Sequence, residues 1–347
     1  MKIKKGYRKE RLDRGIKARV DDVFAISSYR EIMYLAMPRT LFIIFLLLLP
    51  LSGSITGPYW QGVIIITCII ALLTLSWTFM YSVGLISLGH AVFFGIGAYI
   101  AGWLSSSLNL SPLITIPLAA LSGAVLGALL LYPVLRLRGI YFALITFALP
   151  LFMMRLIEAT GCLGGTAGLS GLHAFPSRLF ASYLVIFVLL FVLFGYLKIM
   201  DSDFGLVLRA IRDSDLSVHA AGINVPLFKA QALFIGALPA TFAGAFLTHY
   251  YRFVGMTAFA LEYSIFPITS AVIGGTGLFP GAVLGAFILT PLSESLRAFG
   301  TLRIAIYSLL LVLFIVRLPE GLFSFIQKKY FQFERWVPLE RKDDNAK

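Results

Sequence analysis

The sequence has few charged residues and few cysteines. Charged side chains make up 13% of its 347 residues and hydrophobic ones 59%, whereas soluble domains carry roughly 25% charged residues. The two cysteines, Cys68 in an apolar run and Cys162 in a loop, provide no disulfide framework. The composition therefore excludes an ordinary soluble domain and a disulfide-rich secreted protein, and it predicts a chain embedded in lipid.

The sequence also lacks the motifs of catalytic and nucleotide-binding sites. It contains no G-x-x-x-x-G-K-[ST] phosphate loop and no G-x-S-x-G nucleophile motif. No carboxylate or second histidine stands at metal-ligand spacing from any of the histidines, which are His90, His173, His219 and His249. We therefore predict that the chain is not an enzyme, holds no metal or cofactor, and depends on other chains for any ATP that its function uses.

Positive charge is abundant but concentrated near the chain ends. The net charge is +12, from 29 Lys and Arg against 17 Asp and Glu. Eleven of the basic residues precede the first apolar run, and seven lie from Arg317 onward. Basic tails beside membrane spans indicate segments kept in the cytoplasm, with attraction to anionic membrane lipid as a second effect. We therefore predict no nucleic-acid partner.

Ten apolar runs approach the length of about 20 residues that a membrane span needs. With the N-terminus inside, 24 of the Lys and Arg lie on the inner side and 5 on the outer side, which is the asymmetry expected of inner loops. We predict an all-α, polytopic transmembrane bundle of about ten spans with both termini cytoplasmic. The predicted spans are Leu41–Pro58, Trp60–Met80, Leu85–Leu104, Pro112–Leu135, Ile140–Ile157, Phe180–Ile199, Phe228–Tyr250, Tyr263–Gly274, Gly281–Leu296 and Leu302–Leu318.

Two glycine-rich regions, Gly84–Ile100 and Gly274–Ala286, interrupt the apolar pattern. Irregular backbone at membrane depth is tolerated where it is buried in protein or lines a cavity, so these regions are predicted broken helices along a solute path. The same glycines could instead be small-residue contacts between helices. The candidate path residues are Gly84, Ser87, Gly89, His90, Gly274, Gly275 and Gly277.

His90 is the titratable side chain in the first of these regions, Gly84–Ile100, and its role has two interpretations. An ionisable residue inside the membrane is a functional candidate. The alternative, which we favour from the sequence, is a neutral imidazole that is hydrogen-bonded to a carbonyl of the broken helix.

The polar segment Asp201–Leu227 is the one long charge-bearing interruption in the interior of the apolar sequence. Apolar residues recur in it at three- and four-residue spacing, which predicts an amphipathic surface helix. Ser214 or Asp215 can cap a second short helix that ends at Gly222. We expect the charged residues to face water in the cytoplasm; they are Arg209, Arg212, Asp213 and Asp215.

Four blocks between Trp60 and Leu322 together resemble the membrane permease subunits of branched-chain amino acid ABC importers. They are GLISLGHAVFFGIGAY, RLRGIYFALITFA at Arg136–Ala148, the polar segment with LRAIRDSD and AAGINV, and AVIGGTGLFPGAVLGA followed by LPEGL at Leu318–Leu322. The sequence departs from this family at His219, where an acidic residue is usual, and at Ala167, where Asp or Asn is usual.

The resemblance implies a bacterial inner-membrane importer that moves solute inward by alternating access. Its partners would be a homologous second permease subunit, two cytoplasmic ATP-binding subunits and an extracytoplasmic substrate-binding protein. The polar segment 201–227 would couple the ATPases to the bundle through Arg209, Arg212, Asp213, His219, Ala220 and Gly222. The permease domain would span residues 40–318, between a basic cytoplasmic tail at 1–39 and a cytoplasmic tail at 319–347.

Another class of function is a stand-alone secondary transporter or channel for a small polar solute. Proton-coupled carriers generally need carboxylates inside the bundle, and here the acidic residues cluster in tails and loops. Within the importer interpretation, urea and other amino acids are alternative substrates.

Overall fold

The computed structural model describes residues 7–11, 37, 40–51, 57–137, 139–299, 309, 312, 316–317, 321–331 and 334–338. Most of the predicted span Leu302–Leu318, most of the tail 1–39 and part of the tail 319–347 lie outside the described residues.

The described chain is a polytopic helical bundle, as predicted. Its helices are α1 (Thr40–Leu51), α2 (Pro58–Tyr81), α3 (Ala91–Leu108), α4 (Pro112–Leu131), α5 (Ile140–Thr160), α6 (Arg178–Met200), α7 (Asp203–Asp213), α8 (Asp215–Ala220), α9 (Val225–Tyr251), α10 (Glu262–Gly274), α11 (Phe279–Ser295) and α12 (Leu322–Phe331). Its strands are β1 (Tyr7–Arg11), β2 (Leu169–Ser170), β3 (Phe253–Val254) and β4 (Glu334–Pro338).

The structure does not confirm the number of spans predicted from the sequence. Among the described residues, seven helices are long and apolar enough to cross a membrane, so the predicted ten is not confirmed. α1 and α11 were also predicted as spans, and their described parts, Thr40–Leu51 and 17 residues, are shorter than that length.

Helix α2 is the centre of the bundle. It is apolar on all sides and carries no charged residue, which is the pattern of a helix surrounded by protein. In its most apolar 18-residue window 89% of the residues are buried, compared with 28% in α5. α2 is therefore a core helix, and most of α5 lies on the surface of the described bundle.

Helices α3 and α9 pack at backbone contact because glycines remove the side chains between them. A Cβ at Gly97 would overlap the backbone of Thr241, and one at Gly244 would overlap the carbonyl of Phe94. The Thr248 hydroxyl of α9 donates a hydrogen bond to the Ala98 carbonyl of α3 at 3.2 Å. This is the small-residue packing that brings transmembrane helices close together.

The first predicted break is present between Tyr81 and Ala91. The chain leaves the helix after Tyr81 and begins α3 only at Ala91, so the predicted helix start at Leu85 was wrong. The reason is the conformation of Gly84. Its φ of +84° is incompatible with a right-handed helix and is one that glycine adopts readily. The irregular stretch is buried in protein at Ser87, Gly89 and His90.

The second predicted break is a tight turn between α10 and α11. α10 ends at Gly274, and Gly277 has a φ of +83°. The chain returns to this turn at Gly321, where an added Cβ would overlap the backbone of Gly275. The distant LPEGL block therefore packs on the glycine turn at Gly321.

The polar segment folds as the predicted pair of short helices. Ser214 caps α8 by accepting a hydrogen bond from the Ser217 amide at 3.3 Å, and Gly222 follows that helix with a φ of +84°. Asp215 forms an ion pair with Lys229 of α9 at 2.6 Å, with side-chain exposures of 15% and 9%. This bridge fastens α8 to the bundle.

The tails meet in one described contact. β1 and β4 pair as antiparallel strands, with Tyr7 opposite Pro338 and Arg11 opposite Glu334. The two ends of the described chain therefore lie side by side.

We expect Lys229→Met to loosen α8, because it removes the ammonium partner of a largely buried carboxylate. Removing one member of a fully buried ion pair costs roughly 3–5 kcal/mol, and for this less buried pair we expect about 1–3 kcal/mol. Hydrogen exchange of the α8 amides in the purified protein measures the change.

The matched control is Arg155→Met, which removes the exposed Arg155–Glu158 pair with its side-chain exposures of 81% and 43%. An exposed pair contributes about 0–1 kcal/mol. Equal exchange of the α8 amides in wild type, Lys229→Met and Arg155→Met would show that the bridge does not hold α8.

Candidate functional site

Both glycine turns meet α7 at Arg212. A Cβ at Gly84 would lie 3.5 Å from Arg212 Cα, and one at Gly277 would lie 3.9 Å from Arg212 Nη1 and 3.9 Å from the Tyr81 ring. The Arg212 guanidinium carbon lies 5.5 Å from the centre of the Tyr81 ring, a cation–π contact. We call Tyr81, Gly84, Gly277 and Arg212 the glycine–arginine junction.

The junction continues into the first break through aromatic rings. Tyr81 stacks on Trp77, one turn earlier in α2, with ring centres 5.2 Å apart. The Trp77 ring nitrogen donates a hydrogen bond to the Ser87 carbonyl at 2.8 Å. A continuous series of contacts therefore runs from Arg212 of α7 to the irregular backbone at Ser87.

Three of the four charged side chains that we expected to face water also contact the bundle. The Arg209 guanidinium donates to the carbonyl of Met200, the last residue of α6, at 2.6 Å. Arg212 lies over Tyr81, and Asp215 pairs with Lys229. Helical spacing shows which side chains share a face, but it does not show which face the bundle covers. Arg209 and Arg212 nevertheless remain exposed, as expected, whereas Asp215 is partly buried. Their contacts with the bundle were not predicted.

The outward surface of the helix pair combines apolar and polar side chains. Leu206 of α7 is 64% exposed and Leu216 of α8 is 70% exposed. Ala210 and Asp213 share the Leu206 face at helical spacing, and both are exposed. The remaining predicted coupling residues are also exposed; they are His219, Ala220 and Gly222. The sequence did not identify the two leucines as surface residues. Its apolar pattern does not show which apolar side chains stay exposed in the fold.

The predicted path residues are mostly in packing contacts within the described chain. A Cβ at Gly89 would overlap the Thr146 carbonyl of α5, and one at Gly274 would overlap the Gly281 carbonyl of α11. Gly84 is exposed and Gly277 partly buried at the junction, while Ser87, Gly275 and His90 are buried. The solute path through these residues stays a prediction, and helix packing accounts for Gly89 and Gly274.

His90 lies in the core as part of a hydrogen-bond chain. Its Nε2 is 2.6 Å from the Ser76 hydroxyl, which donates to the Gly236 carbonyl of α9. Because that hydroxyl has one hydrogen, His90 Nε2–H donates and Nδ1 keeps its lone pair without a partner among the described residues. The imidazole is bonded to a serine, whereas the favoured sequence interpretation placed it on a carbonyl.

The described residues hold no group of three or more His, Cys, Asp or Glu side chains that could bind a metal ion. In the described part of the chain, Cys68 is buried and Cys162 exposed, and both are free thiols.

Comparisons with known proteins agree with these features. The family model for the permease component of the branched-chain amino acid transport system matches residues 60–318. That range includes both breaks, the helix pair and the whole junction.

The chain is similar to the high-affinity branched-chain amino acid transport system permease protein LivM of Escherichia coli K12, with 29% identity over 69% of this chain and 64% of that protein. It is also 27% identical to a probable branched-chain amino acid transport permease protein LivH of Methanocaldococcus jannaschii, over 70% of this chain and 82% of the relative.

The match with LivM thus spans slightly less than two thirds of that relative's length. No solved structure matches the chain. The family model covers most of the chain, from α2 through α11 and beyond. The chain belongs to the family of permease components of branched-chain amino acid transport systems.

Proposed function

We propose that this protein is the permease subunit of an ATP-driven importer and that it moves branched-chain amino acids inward by alternating access. The observation that carries the proposal is the α7–α8 pair. Its charged side chains Arg209, Arg212 and Asp215 fasten it to the bundle, while Leu206 and Leu216 project outward. Both leucines are available for burial against a docking partner.

The occupant of that surface would be a cytoplasmic ATP-binding subunit. An amphipathic helix that presents apolar side chains can dock in a groove of a partner, and Asp213 and His219 beside the leucines can fix its register. The chain has no phosphate-binding loop of its own, so the partner would bind the ATP and this subunit would not be an enzyme.

The junction supplies a route from the ATPase to the bundle. When the ATP-binding subunits close, α7 moves as a rigid element, and Arg212 lies against both Gly84 and Gly277. The turns join α2 to α3 and α10 to α11, so one displacement reaches four core helices. Packed elements of this kind have discrete arrangements, which suits a two-state transport cycle.

The proposed orientation places α7, α8 and both tails on the cytoplasmic side of a bacterial inner membrane. The excess of Lys and Arg in the corresponding loops supports this. The pairing of β1 with β4 supports a common side for the tails 1–39 and 319–347. A second permease subunit and an extracytoplasmic binding protein complete the proposed assembly, and the domain at 40–318 is its transport unit.

Cysteine labelling in intact cells tests the orientation, because the chain carries a control on the opposite loop. Cys162, exposed between α5 and α6, should react with an impermeant maleimide. Ala221→Cys, placed after α8 in a Cys68- and Cys162-free background, should react only after the membrane is permeabilised. The opposite pattern of labelling would invert the topology.

Docking on the helix pair predicts that Leu216→Asp abolishes association with the ATP-binding subunits. The Leu216 side chain is 70% exposed, so its replacement should leave the bundle folded, while a charge buried in the interface costs about 2 kcal/mol or more. Co-purification of the full chain with its co-expressed ATP-binding subunits, followed by uptake of labelled leucine, measures both effects.

The control for Leu216→Asp is Leu163→Asp, in the loop between α5 and α6 on the opposite side of the bundle. It should leave association and uptake unchanged. If Leu216→Asp assembled and transported like wild type, the helix pair would not be the docking element. Uptake by the wild-type chain without any ATP-binding subunit would instead favour a stand-alone transporter.

A further inference from the structure

A second polar site lies at the far end of the bundle from α7 and α8. A cavity of about 530 Å³ opens where α6 begins and α9 ends. α6 runs from this cavity at Arg178 to Met200 beside α7, and its 23 residues span about 34 Å. α9 likewise connects the helix pair to the cavity. The cavity therefore lies across the membrane from the proposed ATPase surface, and we call it the Arg178–Arg252 pocket.

The charged residues that line the pocket are both positive. Arg178 and Arg252 both line it, and the lining residues include no Asp or Glu. Among the described residues neither arginine forms an ion pair, whereas Arg155, Arg297 and Lys229 all do. Two guanidinium groups without carboxylates at one cavity favour an anionic occupant.

Arg252 occupies an unusual backbone position. It ends α9 in the left-handed conformation, with a φ of +56°, where glycine or asparagine is the usual residue. Such departures from local preference are found at functional sites. Here the departure brings a guanidinium to the same cavity as Arg178, the first residue of α6.

Two further polar side chains in the wall, His249 and Tyr250, differ in their hydrogen bonding. His249 is fully engaged, because its Nδ1–H donates to the His173 carbonyl at 2.7 Å and its Nε2 accepts from the Thr115 hydroxyl. It serves as a rigid wall. The Tyr250 hydroxyl has no hydrogen bond within the described residues, and Arg178 acts on it electrostatically. Tyr250 is thus a third available donor, beside the two guanidinium groups.

The wall also includes the hydroxyl groups of Ser177 and Tyr251 and the apolar side chains of Ala174, Phe175 and Ala181. Phe175 is held against Phe246 of α9, with ring centres 4.7 Å apart. The volume falls in the range of about 300–1,000 Å³ of small-molecule pockets. Cationic donors beside a small apolar wall match a carboxylate that carries a short aliphatic chain.

We propose that the Arg178–Arg252 pocket binds the carboxylate group of the transported solute as it arrives from the side opposite the ATPases. Arg178, Arg252 and Tyr250 hold the carboxylate, and the aliphatic chain lies against Phe175. Because the wall offers no carboxylate of its own, the ammonium group of an amino acid is not required for binding. This inference rests on the proposed function for the nature of the solute.

Calorimetric titration of the purified full chain in phosphatidylcholine nanodiscs tests the site. The probes are L-leucine, 4-methylpentanoate, which lacks the ammonium group, and 3-methylbutylamine, which lacks the carboxylate. We expect the two acids to bind and the amine not to bind. Arg178→Gln and Arg252→Gln should each weaken acid binding about tenfold or more, the effect of losing a hydrogen bond to a charged group.

The matched control is Arg155→Gln, an arginine outside the pocket that is already paired with Glu158, and it should bind like wild type. Binding of the amine as tightly as the acids, absence of acid binding, or unchanged affinity in both Gln variants would overturn the proposal. Weak acid binding together with binding of phosphatidylglycerol that depends on Arg178 and Arg252 would also overturn the proposal. That result would assign the pocket to a lipid headgroup.

The outcome is separable from that of the proposed function. If the chain fails to associate with ATP-binding subunits but binds the acids through Arg178 and Arg252, the coupling proposal fails and the pocket stands. If it associates and transports leucine while neither acid binds, the pocket proposal alone fails.

Discussion

One constraint organises this bundle: backbone that leaves the helix inside an apolar environment must find its hydrogen-bond partners within the protein. In the break between α2 and α3, the Leu88 amide donates to the Thr146 hydroxyl of α5 at 3.1 Å, and the Ala91 amide donates to the Ser264 hydroxyl of α10 at 2.9 Å. Trp77 satisfies the Ser87 carbonyl. Each of these bonds fixes a neighbouring element relative to the break, so the irregular segment is a point at which α2, α3, α5 and α10 are held together.

The same irregular segments give the bundle its connection to the surface. Positive-φ glycines at 84 and 277 let two tight turns approach Arg212, and the rings of Tyr81 and Trp77 link that arginine to the hydrogen-bonded backbone of the break. A movement of α7 is therefore transmitted to the core helices through close packing contacts. In the proposed function, this is how closure of the ATP-binding subunits would reach the solute path, and α6 and α9 would carry the change toward the Arg178–Arg252 pocket.

The sequence predicted several elements of the bundle but few of the contacts between them. Apolar runs and glycine clusters predicted α2, both breaks and the α7–α8 pair, because helix length and glycine conformation are local properties. The directions of Arg209, Arg212 and Asp215 could not be predicted, since their partners Met200, Tyr81 and Lys229 come from other helices. The pocket was missed for the same reason: Arg178 and Arg252 stand far apart in sequence, and only the meeting of α6 with α9 brings them to one cavity.

The most direct test of the account is the number of leucine molecules transported per ATP hydrolysed by the reconstituted complex in proteoliposomes. Arg212→Met removes the guanidinium from the junction and leaves the outward leucines of α7 and α8 in place. The account predicts ATP-dependent uptake by the wild-type complex, and in the variant a normal complex that still hydrolyses ATP but transports about tenfold less leucine per ATP, as expected for a coupling free energy of about 1–3 kcal/mol. An unchanged ratio in the variant, or uptake by the wild type that does not depend on ATP, would contradict it.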